Sequence, residues 1–93
     1  MFTHIVVYSL QDPTEATEVV RRLRAMVELA PLVTTLEVGS DESRTPASFD
    51  IGLVTTHPDA ASYEAYRTHP VHQELLEWLL PRLRDRKVVD FNS

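Results

Sequence analysis

The sequence predicts an α+β domain in which four strands form one antiparallel sheet and three helices cover one of its faces. Three observations lead to this fold class. Segments rich in β-branched residues alternate with amphipathic segments in the order β-α-β-β-α-α-β. Prolines and short polar residues mark most of the boundaries between them. The outer strands are apolar on both sides, so both faces of the sheet are expected to be covered.

Residues 2–10 predict the first strand, because the segment is rich in β-branched and aromatic residues and contains no glycine or proline. Side chains alternate between the two faces of a strand, so His4 and Tyr8 share one face while Ile5 and Val7 share the other. The face of His4 also carries Phe2, Val6 and Leu10.

A helix is expected next, running to about Ala30. Asp12 suits the N-cap, Pro13 the first helical position and Glu15 the third residue of a capping box. Pro31 should end the helix. An apolar stripe with helical spacing marks its buried side: Ala16, Val19, Val20, Leu23, Met26, Val27 and Ala30.

Two further strands are predicted at residues 32–38 and 49–56, separated by a polar turn segment at 39–48. Gly52 lies inside the third strand. A glycine in that position indicates a bulge or the close approach of another part of the chain.

Two more helices and a last strand complete the pattern. The second helix should begin with Pro58 at its first position and run to about Thr68. The residue before Pro70 avoids the helical region, so Pro70 should begin a third helix, which Pro81 ends or kinks. Residues 87–92 predict the fourth strand.

Right-handed crossovers fold this order into the ferredoxin-like arrangement, with all helices on one face of the sheet. One apolar face of the sheet then lacks a cover. We therefore expect a homodimer in which a second copy packs sheet to sheet. The length, and the absence of repeats and linkers, indicate a single domain over residues 1–93.

Composition narrows the classes of function. The formal net charge of −5 argues against binding to nucleic acid or to an anionic membrane. No apolar stretch reaches the roughly 18 residues of a membrane span, and the first residues lack a signal-peptide pattern. These features favour a cytoplasmic protein. The chain has no cysteine, so thiolate nucleophiles, disulfides and cysteine zinc sites are excluded.

Four segments, in order, resemble the stress-responsive A/B barrel family, often called Dabb. They are Phe-Thr-His-Ile-Val-Val-Tyr at 2–8, Phe-Asp-Ile-Gly-Leu-Val at 49–54, Tyr-Arg-Thr-His-Pro-Val-His at 66–72 and Asp-Arg-Lys-Val-Val-Asp-Phe at 85–91. The third is the most specific, because it matches the family's Tyr-x-x-His-Pro-x-His. The match extends over nearly the whole chain.

The resemblance implies a homodimeric α/β barrel. Most members have no assigned reaction, but some plant members are polyketide cyclases that close an aromatic ring in a pocket between sheet and helices. In those enzymes the second histidine of His-Pro-x-His is the base and the nearby tyrosine assists it. The matching positions here are His72 and Tyr66. Those enzymes carry a third-strand histidine where this chain has Ile51, which removes one polar group from the pocket.

The position of His72 by itself suits a general base. It falls in the first turn of the third helix, where the helix dipole disfavours the imidazolium, and burial acts in the same direction. A neutral imidazole is what a base requires at pH 7. Asp90 is a candidate to orient the ring. The alternative is a histidine of the pocket wall, or a helix cap, with satisfied hydrogen bonds.

Other side chains are candidates for contact with a substrate. The Tyr66 hydroxyl could stabilise an enolate, although a tyrosine with one wet edge is also ordinary packing. His4 and Tyr8 would face the same cavity if their side of the first strand lies under the helices, but a histidine there is also an ordinary structural residue. The predicted substrate-binding residues are His4, Val6, Tyr8, Ile51, Leu75, Trp78 and Asp90.

Metal and cofactor sites are not expected. His69 and His72 could share a metal, but two ligands do not make a site, and His69 could simply cap the helix. The chain has only two glycines and no nucleophile elbow, so phosphate-cradling loops and acyl-enzyme chemistry are not indicated. We therefore predict no cofactor.

Three hypotheses for function follow. The first is a cofactor-independent cyclase or lyase acting on a small aromatic or polyketide-like ligand, with His72 as base and Tyr66 as its assistant. The second is a non-catalytic, stress-associated dimer that binds a small ligand or none. The third is a monooxygenase or haem-type enzyme built on the same barrel.

Overall fold

The computed structural model describes all 93 residues, and its sheet has the strand order β2-β3-β1-β4 with every neighbouring pair antiparallel. The strands are β1 (Phe2–Leu10), β2 (Thr35–Ser40), β3 (Ile51–His57) and β4 (Leu83–Asn92). The helices are α1 (Ala16–Arg24), α2 (Ala60–Arg67) and α3 (Pro70–Leu79). Short 3-10 turns occupy Pro13–Glu15, Ala25–Leu29 and Leu80–Arg82.

The predicted α+β fold is confirmed: four antiparallel strands and three helices in a ferredoxin-like order. The core lies between β1, β3 and the helices. Its side chains come from alternate positions of the strands and from the apolar stripe of α1, as the two periodicities require. The buried set includes Val6, Tyr8, Leu10, Val19, Leu23, Ile51, Leu53, Tyr66, Leu75 and Leu79.

The first helix differs from its prediction at both ends. Asp12 caps the 3-10 turn before it by accepting from the Thr14 amide, as expected. The capping box is wrong, because the Glu15 carboxylate accepts from Arg82 instead. The α-helix ends at Arg24 and continues as a 3-10 turn to Leu29, where the chain leaves the helical region because Ala30 precedes a proline and adopts an extended backbone.

The second helix begins two residues later than predicted. Asp59 is its N-cap, with its carboxylate accepting from the Ser62 amide at 2.7 Å, so Pro58 lies outside the helix. The third helix begins at Pro70 as predicted. His69 caps it, since its Nδ1 accepts from the Val71 amide at 3.1 Å.

Pairing with neighbouring strands shifts the predicted strand limits. The second strand begins at Thr35 rather than residue 32, because the Leu32 amide closes a turn onto Leu29. The third begins at Ile51, and the Asp50 carboxylate just before it accepts from the Leu10 amide at 2.7 Å. The fourth begins four residues early, because it pairs along the whole of β1.

The face of the sheet opposite the helices is uncovered and largely apolar. Val89 and Phe91 on β4 are 53% and 43% exposed. They pair in register with Ile5 and Thr3 of β1, whose side chains share this face. Ile5, Val7 and Val54 extend the apolar surface across the sheet, which we call the open face.

Gly52 does not mark a bulge or a close approach. It pairs in unbroken register with Val7 and Gly39, and nothing lies within 4 Å of the position that a Cβ would take. The two paired glycines leave a depression in the open face. None of the helices is long and apolar enough to cross a membrane.

Candidate functional site

A cluster of aromatic and imidazole rings fills the space between α2, the start of α3 and the helix-facing side of β1 and β3. Neighbouring rings within it are 4.6 to 6.4 Å apart between centroids. Its members are Phe2, His4, His57, Tyr63, Tyr66 and His72. Three of the four histidines thus converge on one side of the sheet.

Tyr66 and His72 are in ring-to-ring contact, with centroids 4.6 Å apart and planes inclined by 57°. Tyr66 is 2% exposed, and burial raises the pKa of its hydroxyl, so it stays protonated at neutral pH. No hydrogen bond of that hydroxyl contributes to its pKa shift, which arises from burial and from the neighbouring Tyr8 and Tyr63. The hydroxyl is therefore free to donate to a ligand.

His72 carries the strongest electrostatic perturbation among the histidines. Burial lowers its pKa to about 4; the Arg67 carbonyl opposes this effect, while the charges of His4, Arg67 and Arg86 add to it. The imidazole is therefore neutral at pH 7. Its Nδ1 is buried and has no partner at hydrogen-bond geometry, and the Arg67 carbonyl near the ring accepts from Gln73 at 2.8 Å.

His4 and Asp90 form a second polar unit beside these rings. They are direct partners in the β1–β4 ladder, and His4 Nδ1 lies 2.5 Å from Asp90 Oδ1. The sequence suggested that Asp90 would orient His72. That suggestion is wrong: the cross-strand register delivers the carboxylate to His4 instead.

Tyr63 links the two units. Its ring centroid lies 5.0 Å from that of His4 and 6.4 Å from that of Tyr66, and its hydroxyl oxygen is 3.3 Å from His4 Nδ1. Sequence reasoning missed this residue. The signal was available, because Tyr63 precedes Tyr66 by three residues in a helix and must share its face.

His57 belongs to the cluster but is fully satisfied. It is 0% exposed, its Nδ1 lies 2.7 Å from the Leu32 carbonyl, and its Nε2 lies 2.8 Å from the Thr55 hydroxyl. Burial lowers its pKa, so it is neutral as well. Since both nitrogens are bonded, this ring links the segment before β2 to β3 and has no free nitrogen for a ligand.

The remaining predicted pocket residues are distributed more widely. Val6 and Tyr8 lie in the core beneath the cluster. Ile51 is buried at the start of β3, between β2 and β1. Leu75 lines a groove between α1 and α3. Trp78 is held between two guanidinium groups, with Arg22 4.2 Å and Arg82 4.3 Å from its ring. The structure therefore brings together His4, Tyr66, His72 and Asp90, but not the other five.

Two further properties limit the chemistry. No group of three or more histidine or acidic residues is close enough to hold a metal ion, and His69 serves as a helix cap. The cavities of the structure are lined by other residues, so His72 and Tyr66 do not lie in an enclosed chamber, and Tyr66 is almost fully buried.

Comparison with known protein families gives a match over almost the whole chain. The profile described as the Stress responsive A/B Barrel Domain, or Dabb, matches residues 2–93. The chain belongs to the stress-responsive A/B barrel family. Among curated protein sequences, none matches this A/B barrel protein.

Solved structures agree in fold. A dimeric ferredoxin-like protein of unknown function from Thermobifida fusca is 24% identical, with a TM-score of 0.87 over 99% of this chain and 90% of that one. An antibiotic biosynthesis monooxygenase is 20% identical, with a TM-score of 0.79 over 100% and 98%. Hydroxynitrile lyase from Passiflora edulis is 16% identical, with a TM-score of 0.81 over 97% and 90%. The two neighbours with a named activity, a monooxygenase and a lyase, thus differ in activity while sharing one fold.

Proposed function

We propose that this A/B barrel protein is a cofactor-independent cyclase or lyase in which His72 accepts a proton from a small carbonyl- or hydroxyl-bearing substrate. The observation that carries the proposal is the state of His72: a neutral imidazole with an unpartnered buried nitrogen, in contact with a tyrosine whose hydroxyl is unused. A general base and an oxyanion donor are thereby adjacent.

The step for a cyclase runs as follows. An imidazole nitrogen of His72 takes a proton from the carbon between two carbonyl groups, and the electron pair of the broken C–H bond moves onto a carbonyl oxygen. The Tyr66 hydroxyl donates a hydrogen bond to that oxygen. The enolate carbon then attacks a third carbonyl group farther along the same molecule, and His72 returns its proton to the new alkoxide. Reversal of the carbon–carbon step gives a lyase.

The lowered pKa of His72 has two consequences. It keeps the ring in the form that accepts a proton, but it also makes the free ring a weak base. Negative charge on the enolate oxygen would favour the imidazolium and raise the pKa as the proton moves. The Asp90 carboxylate, held by His4 on the neighbouring strand, adds negative charge on the same side of the sheet.

Proton exchange tests this proposal without knowledge of the substrate. The protein would be incubated with 2,4-pentanedione in D2O, and loss of the central C–H signal would be followed by NMR. We expect exchange above the buffer rate, falling by about a hundredfold in His72→Gln, which is the usual scale of a lost general base. His69→Asn is the matched control, since it keeps a capping oxygen outside the cluster. A wild-type rate equal to that of buffer would contradict the proposal.

A non-catalytic ligand-binding protein is the second candidate. It is favoured by the packing of His72 against Tyr66 and by the absence of an enclosed chamber around them. On this reading the two rings stabilise the junction of α2 and α3. His72→Gln would then lower thermal stability while no variant changed the exchange rate.

The open face supports a further part of the proposal, that residues 1–93 act as a single domain which pairs with a second copy. Valine and phenylalanine side chains left half exposed on a sheet gain free energy when an interface removes them from water. The Thermobifida neighbour is described as dimeric. Two-fold packing of the open face on itself would bury this surface in both copies.

A further inference from the structure

The helix-facing side of β4 is uncovered between Arg86 and Asp90. In the β1–β4 register, Tyr8 pairs with Arg86, Val6 with Val88 and His4 with Asp90, so these six side chains point to the helix side of the sheet. Val6 is 1% exposed but Val88 is 49% exposed. The helices therefore cover β1 and leave β4 as an open strip along one edge of the candidate site.

The two ends of this strip carry opposite charges, of which one has a hydrogen-bond partner in the protein and the other has no ion pair. At one end the Asp90 carboxylate is bonded to His4. At the other end the Arg86 guanidinium forms no ion pair, whereas seven of the other eight lysine and arginine side chains either pair with a carboxylate or contact a carbonyl or Trp78. Four strand steps separate the two ends, which is about 13 Å.

Arg86 acts electrostatically on the site. Burial raises the pKa of Tyr8 to about 12, and the Arg86 charge opposes that effect. Burial lowers the pKa of His72, and the Arg86 charge adds to that effect. Arg86 is the register partner of Tyr8, so its charge acts on the helix-facing side of the sheet, and no ion pair neutralises the guanidinium.

We infer that Arg86 binds a carboxylate of the substrate, so that this site selects an elongated acid whose carbonyl or hydroxyl end lies near His72 and the His4–Asp90 pair. The inference rests on the proposed function, since it names the substrate class of the same site. A guanidinium presents parallel N–H groups that match a carboxylate in a bidentate pair. The exposed Val88 between the two ends offers an apolar contact for the body of such a molecule, an aromatic ring for example.

The opposite orientation is disfavoured by the same charges. A carboxylate placed at the other end of the strip would meet Asp90, and like charges at close range repel. A hydroxyl there can instead donate to Asp90 or to an imidazole nitrogen. The strip thus has a direction, with the anionic end of the ligand at Arg86.

A matched pair of ligands tests the inference. 4-Hydroxycinnamate and its methyl ester have the same ring and hydroxyl group, but only the acid is charged at neutral pH. Binding of each would be followed through histidine ring signals by NMR in wild type, Arg86→Gln and Lys87→Gln. Lys87→Gln removes the same charge one residue away, where the side chain lies on the open face.

We expect wild type to bind the acid about tenfold more tightly than the ester, which is the scale of one charge-assisted contact at a partly exposed site. Arg86→Gln should abolish this preference and Lys87→Gln should keep it. Equal binding of acid and ester, with His72 signals shifting for both, would overturn the role of Arg86 while leaving the proposed site intact. Persistence of the preference in Arg86→Gln would also overturn the inference, as would a failure of the acid to bind at millimolar concentration. If neither the acid nor the ester binds, the proposed site loses support together with the role of Arg86.

Discussion

Asp90 and His4 face each other across the β1–β4 ladder, with 2.5 Å between the carboxylate Oδ1 and the imidazole Nδ1. A carboxylate can only accept, so the imidazole must carry a proton on Nδ1. The Tyr63 hydroxyl, 3.3 Å from the same nitrogen, then cannot donate to it. The other ring nitrogen of His4 is left for a ligand, in the arrangement by which carboxylates orient catalytic histidines.

The tautomer of His4 is the first prediction. We expect long-range 1H–15N NMR spectra to show the Nδ1–H form, because Asp90 accepts from that nitrogen. In Asp90→Val the preference should disappear, and the free energy of unfolding should fall by about 1 kcal/mol for one partly exposed hydrogen-bonded pair.

Asp85→Val is the matched control for this substitution. Asp85 lies on the same strand, where its exposed carboxylate accepts from the adjacent Arg86 amide and lies 3.9 Å from the Lys87 ammonium group. Removing the Asp85 carboxylate should therefore lower the free energy of unfolding less than removing that of Asp90. An Nε2–H tautomer of His4 in wild type would contradict the assignment of the hydrogen bond.

Thr55 provides a prediction about the core of the site. Its hydroxyl lies 2.8 Å from His57 Nε2, and both residues are fully buried. Thr55→Val leaves that nitrogen without a partner, so we expect a loss of about 1–3 kcal/mol in urea denaturation. Thr56→Val removes a hydroxyl bonded to Thr35 at the sheet edge and should cost clearly less. Equal losses in the two variants would mean that the His57 bond adds nothing.

Stability should decrease as the pH falls below about 6.5. The pKa values of His57 and His72 are lowered in the folded protein, that of His72 to about 4, so the unfolded chain binds more protons in this range. The decrease should be visible between pH 6.5 and 4.5, before most carboxylates titrate. His72→Gln should reduce the slope of the free energy of unfolding in this window. A slope unchanged by His72→Gln would contradict the burial argument for that ring.

Self-association is predicted to depend on the open face. Val89→Glu places a charge at its centre and should convert a dimer to a monomer in light scattering at micromolar concentration. Val27→Glu is the control, since Val27 is equally exposed but follows α1, on the opposite layer. A monomeric wild type would contradict the prediction of a dimer. A dimer that persists in Val89→Glu but not in Val27→Glu would place the contact on the helix layer instead of the open face.

The helices and strands were predictable wherever a local signal decided them. Asp12 and Pro70 mark helix starts through their own backbone chemistry, and both behave as expected. The errors occur where a distant partner competes. The Glu15 carboxylate accepts from the Arg82 guanidinium rather than from the amide of a capping box. The Asp50 carboxylate, just before the third strand, accepts from the Leu10 amide. Such choices depend on which groups the folded chain brings together, and no local pattern encodes them.

The sequence by itself determined the family and the ferredoxin-like order of elements, and it singled out Tyr66 and His72 as candidates, because periodicity, proline positions and the His-Pro-x-His motif are all local. Only the tertiary structure decided how the polar groups pair. The register of β1 against β4 pairs Asp90 with His4 rather than with His72 on α3, and the Arg86 guanidinium is left without an ion pair. A shift of one residue in that register would turn Asp90 and Arg86 to the other face of the sheet, so the polar pairing of this site is a property of strand pairing rather than of sequence spacing.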